Sequence, residues 1–572
     1  MHRFARIACI IVVIVLITYG LFQPVEQDIR WLLLLWLAAP FLLIAVRLSL
    51  PEQPRGMARS VQQLGVVVGV SFMLLAFQLL RQQFVRADDF YDYVYIDQQT
   101  GQAIGNVRPV LQTQRVQRGK ILDRNETVIV DTQMVDGFAW RTYPIEAQFD
   151  PAAFGNIVGF FSHRFSQSGI EASYHDYLSG ELDIYGQIQS ALLGQPRIGD
   201  NVHLTIDARL QATASQSLGG RPGSVVVLDV ETGAILAMAS APTFDPRGIA
   251  FNPAAPDRDA ENARVVDYWT QINGDVSGQP LLNRPTQGVY PPGSTFKTLT
   301  AIAALEHANV ASPNDIDCPD TRTTEVGAPP VVNALDDLQS FTGDPSDLER
   351  VYAYSCNTAF AEYAMRLGPD LFIEMARKFD IYTPQEVPVS YPHFTDLPTE
   401  ASLLYVEPGF LNRQAALADT GYGQGQLLVT PLQMAMMTAA VANEGWMPEP
   451  YLVERITRFD GTLVTARGPR AIRRTMSAAT AATMRADMRA GVEYGFGTAA
   501  QQVSPDVALV GGKSGTAEHG PGTIPHAWFM AIAPVDEPRY AIVVMVESGG
   551  EGSSVGAQLA GQVLAAAFNL EN

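Results

Sequence analysis

Three apolar stretches, at residues 7–25, 31–46 and 61–80, open the chain and constrain everything that follows them. A membrane-spanning helix needs about 20 predominantly apolar residues. The first and third stretches meet that length. The second is shorter, lies between Arg30 and Arg47, and contains Pro40. Backbone polar groups find no water inside a bilayer, so a stretch that enters one is expected to be helical. Arg3 and Arg6 precede the first stretch, and Arg47, Arg55 and Arg59 separate the second from the third. The connection between the first and second carries Glu26, Asp28 and Arg30. The positive-inside rule then places the N-terminus and the second connection in the cytoplasm. Three crossings leave the chain after about residue 82 outside the cytoplasmic membrane. No small-residue cleavage site follows Phe22, so the first stretch is expected to stay as an anchor.

The chain has 572 residues, of which 47% are hydrophobic and 17% charged. That length holds more than one domain, and that composition suits folded, partly membrane-embedded chain rather than disorder. A formal net charge of −20 excludes nucleic acid as a partner, because phosphate binding wants a basic face. Lys and Arg together number 39, yet the lysines are only Lys120, Lys297, Lys378 and Lys513. Arg stays protonated, whereas a buried Lys can be tuned to lose its proton and act as a base. A lysine retained in such a chain marks a place where arginine does not suffice, unless four positions escaped a compositional bias by chance. Their locations decide between these.

Residues 83–200 mix short strand-like runs with turns and read as a small, partly β spacer module. Within it lies Arg118-Gly-Lys-Ile-Leu-Asp-Arg-Asn125. From residue 201 the texture changes. A strand at 202–205 leads into Asp207, a good helix N-cap. Residues 224–229 read as an alternating strand, Glu231-Thr-Gly233 as the turn, and 234–239 as the returning strand of a hairpin. Near the end, 508–512, 528–533 and 540–547 read as three more strands, and an apolar helix at 557–568 follows. Strands at both ends with helices between them imply one α/β domain, 201–572, whose terminal segments pair. Residues 1–82 form the membrane region.

Three motifs carry the chemistry. Ser294-Thr-Phe-Lys297 follows Tyr290-Pro-Pro-Gly293, and Ser294 opens an apolar helix running to about residue 305. Positions i and i+3 share a helix face, so hydroxyl and amine are expected to meet one turn apart. Phe296, Leu299, Ala301, Ile302 and Ala304 make the helix apolar all round, hence buried. Burial lowers a lysine pKa, and a neutral amine beside a serine activates it without histidine. Ser355-Cys-Asn357 offers a second hydroxyl and a carboxamide that could relay a proton and orient a substrate amide; alone, it reads more readily as a helix-cap serine and a turn asparagine. Lys513-Ser-Gly-Thr516 follows a strand. A strand edge binds peptide by backbone pairing, Lys513, Ser514 and Thr516 can hold a carboxylate, and Gly515 permits close approach. Two of the four lysines thus fall in two motifs of one prospective site. Cys318 and Cys356 could form a disulfide if this region is extracytoplasmic; the sequence does not supply the geometry.

The order Ser-x-x-Lys, Ser-x-Asn, Lys-Ser-Gly resembles that of the penicillin-binding proteins and serine β-lactamases. Asn283-Arg284 before Tyr290-Pro-Pro-Gly-Ser294, Gly423-Gln-Gly-Gln426 with Thr430-Pro-Leu-Gln433, His526-Ala-Trp-Phe529, and the 118–125 motif resemble the high-molecular-weight class B transpeptidases in particular. The resemblance spans about residues 105–570. It implies a five-stranded antiparallel sheet flanked by helices, a mixed pedestal module, and a peptidoglycan D,D-transpeptidase that is the target of β-lactams. It implies that Ser294 attacks a D-Ala-D-Ala stem peptide and Lys297 takes its proton. Ser355 and Asn357 assist, while Lys513, Ser514, Gly515 and Thr516 bind substrate. The backbone N–H groups of Ser294 and Thr516 form the oxyanion hole. It implies no metal or organic cofactor, and a polytopic membrane glycosyltransferase as partner. Glu126 departs from the glycine frequent there in the family, and three apolar segments replace the usual single anchor.

The rivals are a D,D-carboxypeptidase, a β-lactamase using Glu407-Pro-Gly-Phe-Leu-Asn412, or a structural activator of the glycosyltransferase. Gly512-Lys513-Ser514 fails as a phosphate loop because Val507 stands where glycine is required. Gly552-Ser-Ser-Val-Gly556 fails as a hydrolase elbow because His519 and His526 precede it.

Overall fold

The computed structural model describes residues 2–24, 27–50, 56–86, 89, 94–96, 103–105, 114–183, 186–187, 196–274 and 278–570. Val25, Glu26 and Arg55 of the membrane region lie outside the described residues, as does much of 87–113. The chain divides into two compact units, 1–113 and 114–572.

In the first unit, α1 (His2–Leu21), α2 (Asp28–Ser49) and α3 (Met57–Leu80) are each long and apolar enough to cross a membrane. At 1.5 Å per residue, 20 residues cover a hydrocarbon core of about 30 Å. Pro40 is accommodated inside α2. One residue ties the three together. Arg81, fully buried just beyond α3, donates to the carbonyl of Gly20 in the last turn of α1 and to those of Gln23 and Pro24 after it, and pairs with Asp28 at the start of α2 at 2.9 Å. Its guanidinium also stands over the Trp31 ring, whose indole N–H donates to Gln78 of α3 at 2.6 Å. Carbonyls left over at a helix C-terminus favour a cation, so a single arginine satisfies both a helix end and a carboxylate.

The second unit contains two large sheets. Strands β1 (Ile121–Leu122), β2 (Val128–Val135) and β3 (Phe138–Thr142) form successive antiparallel pairs, and β4 (Asn201–Leu204) lies parallel to β1. Asp207 then caps α4 (Ala208–Leu218), accepting from the N–H groups of Arg209 and Leu210. Strands β5 (Gly223–Asp229) and β6 (Ile235–Ala241) make the hairpin, followed by α5 (Lys297–Glu306). A small hairpin, β7 (Thr321–Arg322) with β8 (Val331–Val332), precedes α6 (Asn357–Lys378), which kinks at Gly368. Then come α7 (Pro431–Ala442), β9 (Val453–Thr457), β10 (Leu463–Ala466) and α8 (Ala478–Glu493). The last elements are β11 (Gly511–Ala517), β12 (His526–Ala533), β13 (Tyr540–Val546) and α9 (Ala557–Asn569).

The five-stranded antiparallel sheet runs β6-β5-β13-β12-β11, so the chain's late strands do pair with its early ones. Its strands are continuous apolar runs, at 224–229 too rather than the alternation expected there, because both faces are covered. Val225, Val227, Ile542 and Val544 pack with Leu559, Val563 and Leu564 of α9, and Val226, Leu228, Val543 and Met545 pack with Ile302 of α5 and Met434 of α7. This leaves β11, which carries Lys513, as an edge strand.

Two local expectations change. β11 begins at Gly511 rather than at residue 508, because Gln501 captures the backbone there, donating to Ala508 O and accepting from Val510 N–H. Thr430-Pro-Leu-Gln433 has the spacing of a capping box; Thr430 caps α7 through Gln433 N–H, but Gln433 does not reach back, and its buried amide serves Phe379 O and the Tyr391 hydroxyl instead.

The six-stranded sheet, ordered β10-β9-β4-β1-β2-β3, joins residues before and after position 200. The 118–125 motif is therefore a structural joint rather than a spacer. Asp123 accepts from the N–H of Asn125, Thr127 and Ala208, the last being the first residue of α4. Arg124 N–H donates to Ile206 O, and Asn125 donates to Asp207. Arg118 and Arg141 both pair with the fully buried Glu171. Burial raises that carboxyl's pKa, but Arg141 and Arg118 outweigh burial and hold it below its ordinary value. Glu126 sits at a φ of 62°, the left-handed region glycine favours, and its carboxylate pairs with Arg455 and His203.

Candidate active site

Ser294 stands in a tight 3-10 turn, Gly293–Phe296, that feeds α5. Tyr290-Pro-Pro-Gly293 enters that turn with Gly293 at φ 55°. A Cβ on Gly293 would lie 2.5 Å from Thr516 O, and one on Gly515 would lie 2.8 Å from Pro292 O. Gly423 is packed in the same way: its Cβ would lie 1.8 Å from Gly293 O. Three chain segments thus meet at distances only glycine allows. This brings the residue before Ser294 against the backbone of the Lys513-Ser-Gly-Thr516 strand. Sequence reading took Gly423-Gln-Gly-Gln426 as a family mark and missed this packing role.

Lys297 is fully buried. Its Nζ lies 2.7 Å from Ser355 O, 3.0 Å from Ser355 Oγ and 2.7 Å from Asn357 Oδ1. The expectation that hydroxyl and amine meet directly is corrected here. The Lys297 amine lies within hydrogen-bond distance of three oxygens of the Ser355–Asn357 turn, and no hydrogen bond joins it to the half-buried Ser294. Catalytic hydrogen bonds commonly tighten only once substrate is bound.

Ser355 has φ 54°, a strained value for a residue with a Cβ, and strain of this kind clusters at functional sites. Its Oγ also accepts from Lys513 Nζ at 2.9 Å, which in turn reaches Ser514 O at 3.0 Å and stands over the Tyr352 ring. The three sequence motifs therefore converge on one hydroxyl. Ser514 is nearly buried and Thr516 exposed on the edge strand; no hydrogen bond joins either hydroxyl to the two amines. Burial, and then the charge of Lys513, pushes the Lys297 amine well below the ordinary lysine value. Burial lowers Lys513 to about 7. Two buried cations on one acceptor repel, so the arrangement favours a neutral amine at Lys297.

A supporting network went unread in the sequence. Glu547 accepts from Arg284 at 2.7 Å and from the Tyr290 hydroxyl at 2.8 Å, anchoring the lead-in to Ser294. His526 packs edge-on to Tyr290, stacks on His519, and accepts from Ser548 N–H. Burial and the adjacent His519 hold His526 at about 4, so it is neutral at pH 7. The signal available was Asn283-Arg284 and His526, both within stretches shared with the family. Gly552 of the elbow-like stretch is a packing residue, since its Cβ would lie 2.1 Å from Trp528 O; Ser554 donates to Glu551 O. Cys318 and Cys356 are joined by a disulfide, with Cα atoms 6.1 Å apart.

The profile of the penicillin binding protein transpeptidase domain matches residues 223–565, which hold all three motifs. The chain belongs to the penicillin-binding protein transpeptidase family. The penicillin binding protein A dimerisation domain matches residues 118–202 of this family member. The peptidoglycan D,D-transpeptidase PbpA of Mycolicibacterium smegmatis is 32% identical over 482 residues, 80% of this chain and 89% of the relative. The peptidoglycan D,D-transpeptidase MrdA of Haemophilus influenzae is 29% identical over 441 residues, 72% of this chain and 64% of that one. Among solved structures, the ceftriaxone acyl-enzyme complex of penicillin-binding protein A from M. tuberculosis superposes with a TM-score of 0.69 at 29% identity. It covers 80% of this chain and 99% of that one.

Proposed function

We infer that this penicillin-binding protein is a peptidoglycan D,D-transpeptidase and a β-lactam target. The observation that carries the reading is the convergence of Lys297 and Lys513 on Ser355 Oγ, with Ser294 in the turn that leads into Lys297. Ser294 Oγ attacks the carbonyl joining two D-alanines as its proton passes to neutral Lys297. The amide C–N bond breaks, and the D-alanine amine leaves with a proton relayed through Ser355. Lys513, Ser514 and Thr516 take the terminal carboxylate, and Gly515 lets the peptide run along the β11 edge. The N–H groups of Ser294 and Thr516 receive the oxyanion; one such donor is worth roughly 2.7–4 kcal/mol. The contact of Gly293 with Thr516 O supports that pairing. Asn357 orients Lys297 and the substrate amide. An amine from a neighbouring stem peptide then attacks the acyl-serine, forming the cross-link and freeing Ser294.

Residues 1–82 are proposed to anchor the chain with its N-terminus in the cytoplasm, 83–200 to form the pedestal, and 201–572 to act outside the membrane. The arginines flanking α1 and α2 support that orientation. A polytopic wall glycosyltransferase is the proposed partner of the membrane region.

The test is to incubate the detergent-solubilised full chain with a stem pentapeptide ending in D-Ala-D-Ala and an amine acceptor. One D-alanine released per cross-linked product is expected. Release without cross-linking assigns a carboxypeptidase, and no release contradicts the enzyme reading.

A further inference from the structure

The Ser355-Cys356-Asn357 turn is gripped from outside the lysine pair by one short segment, residues 318–333. Cys318 holds Cys356 through the disulfide, both residues being fully buried. Val332 O accepts from Asn357 Nδ2 at 2.8 Å, so the amide is turned with Oδ1 towards Lys297. Thr358 donates its hydroxyl to Pro319 O at 2.8 Å and its N–H to Asn333 Oδ1 at 3.2 Å. Asn333 Nδ2 returns to Pro319 O at 2.9 Å, closing the segment on itself, and β7 pairs with β8 across it. Arg322 fixes the hairpin to α6 through Glu362 at 3.0 Å. Residues 356, 357 and 358 are thus each bonded to this segment. Ser355, immediately before them, is held in a left-handed conformation that persists only where the surroundings impose it.

We propose that Cys318, Cys356 and Asn333 are positioning residues for acylation: the disulfide-closed hairpin holds Ser355 Oγ and Asn357 Oδ1 on Lys297. The proposal rests on the transpeptidase reading of the site. None of the three touches the reacting atoms. They act by fixing the turn that gives Lys297 its three acceptors, and a base displaced by about 1 Å loses on the order of a hundredfold in rate. Burial and then the charge of Lys513 hold the Lys297 amine low, so a loosened turn that admits water raises its pKa as well as misplacing it.

The experiment measures the acylation rate by a fluorescent penicillin from acid to alkaline pH, with thermal melts, on the detergent-solubilised full chain. It compares the wild type, the double variant Cys318→Ser/Cys356→Ser and the single variant Asn333→Ala. Expected for the double variant is a cooperative melt, an acylation rate at least about tenfold lower, and an acid limb moved to higher pH. Asn333→Ala moves both in the same direction by less. A purely structural role lowers the melting temperature without moving the pH profile, and that result overturns the proposal. If the double variant does not fold, Asn333→Ala decides: a shifted profile supports the positioning role and a wild-type one rejects it. A wild type that takes no label overturns the transpeptidase reading and this proposal together, whereas a labelled wild type with indifferent variants overturns the positioning role alone.

Discussion

Lys297 and Lys513 share one acceptor, Ser355 Oγ, at 3.0 Å and 2.9 Å. A hydroxyl has one proton to give and lone pairs to receive, so it can pass a proton from one amine towards a leaving group held by the other. Ser355→Ala is expected to slow acylation by about 10²–10⁴-fold, the range of general acid–base assistance, with a smaller change in initial binding. Time courses of fluorescent penicillin labelling at several concentrations separate the two effects.

The lysine environments set a pH profile. Lys297 acts as a base only when neutral, so the rate climbs as pH rises through its lowered pKa. Lys513 holds a carboxylate only when protonated, so the rate falls as pH rises above its value of about 7 in the empty site. A bell-shaped dependence of the acylation rate constant over concentration is expected, with an alkaline limb near neutrality rather than at the ordinary lysine value. A rate still rising past pH 10 contradicts this assignment.

Lys513→Arg keeps the charge and loses the site. Guanidinium is larger, planar and permanently charged, and it cannot replace the compact amine between Ser355 Oγ and Ser514 O. A loss of about 10–100-fold in acylation is expected, the worth of one hydrogen bond to a charged group. Side-by-side labelling of wild type and variant measures it.

The glycine contacts behind Ser294 tolerate no side chain. Gly293→Ala places a Cβ 2.5 Å from Thr516 O at a φ of 55°, and is expected to cost about 1–3 kcal/mol with loss of acylation. Gly522→Ala is the control: its φ is 73°, but nothing lies within 4 Å of the added atom, so labelling is retained. Denaturant melts and penicillin labelling report both.

Glu171 is the keystone between Arg118 and Arg141. Glu171→Gln leaves two buried guanidiniums short of charge and is expected to cost about 3–5 kcal/mol, read from denaturant midpoints. Its folded pKa is lowered, so the wild-type contribution is full above the ordinary carboxylate range and is lost as pH falls through the lowered value. The gap between wild type and variant therefore closes in acid.

Lysine scarcity made the site legible, though only for half the lysines. Lys297 and Lys513 are buried at the site, while Lys120 and Lys378 pair with Asp131 and Glu374 at the surface. Ser-x-x-Lys and Lys-Ser-Gly could be read because their chemistry lies within a few residues. The hairpin 321–332 behind Asn357, the Gly293–Gly423 contact and the Glu547 anchor of Tyr290 join residues far apart in sequence, and no local pattern marks them. The five-stranded sheet could be read from its apolar runs. The six-stranded sheet could not, because the motif at 118–125 pairs through backbone and through the polar Asp123 and Asn125, which read as turn.

The most direct measurement is mass spectrometry of the peptide labelled when the detergent-solubilised full chain meets fluorescent penicillin, with Ser294→Ala alongside. A nucleophilic Ser294 gives a stable adduct at that residue and no label on the variant. Label on another residue, label that persists in Ser294→Ala, or rapid hydrolysis of the drug without an adduct contradicts it.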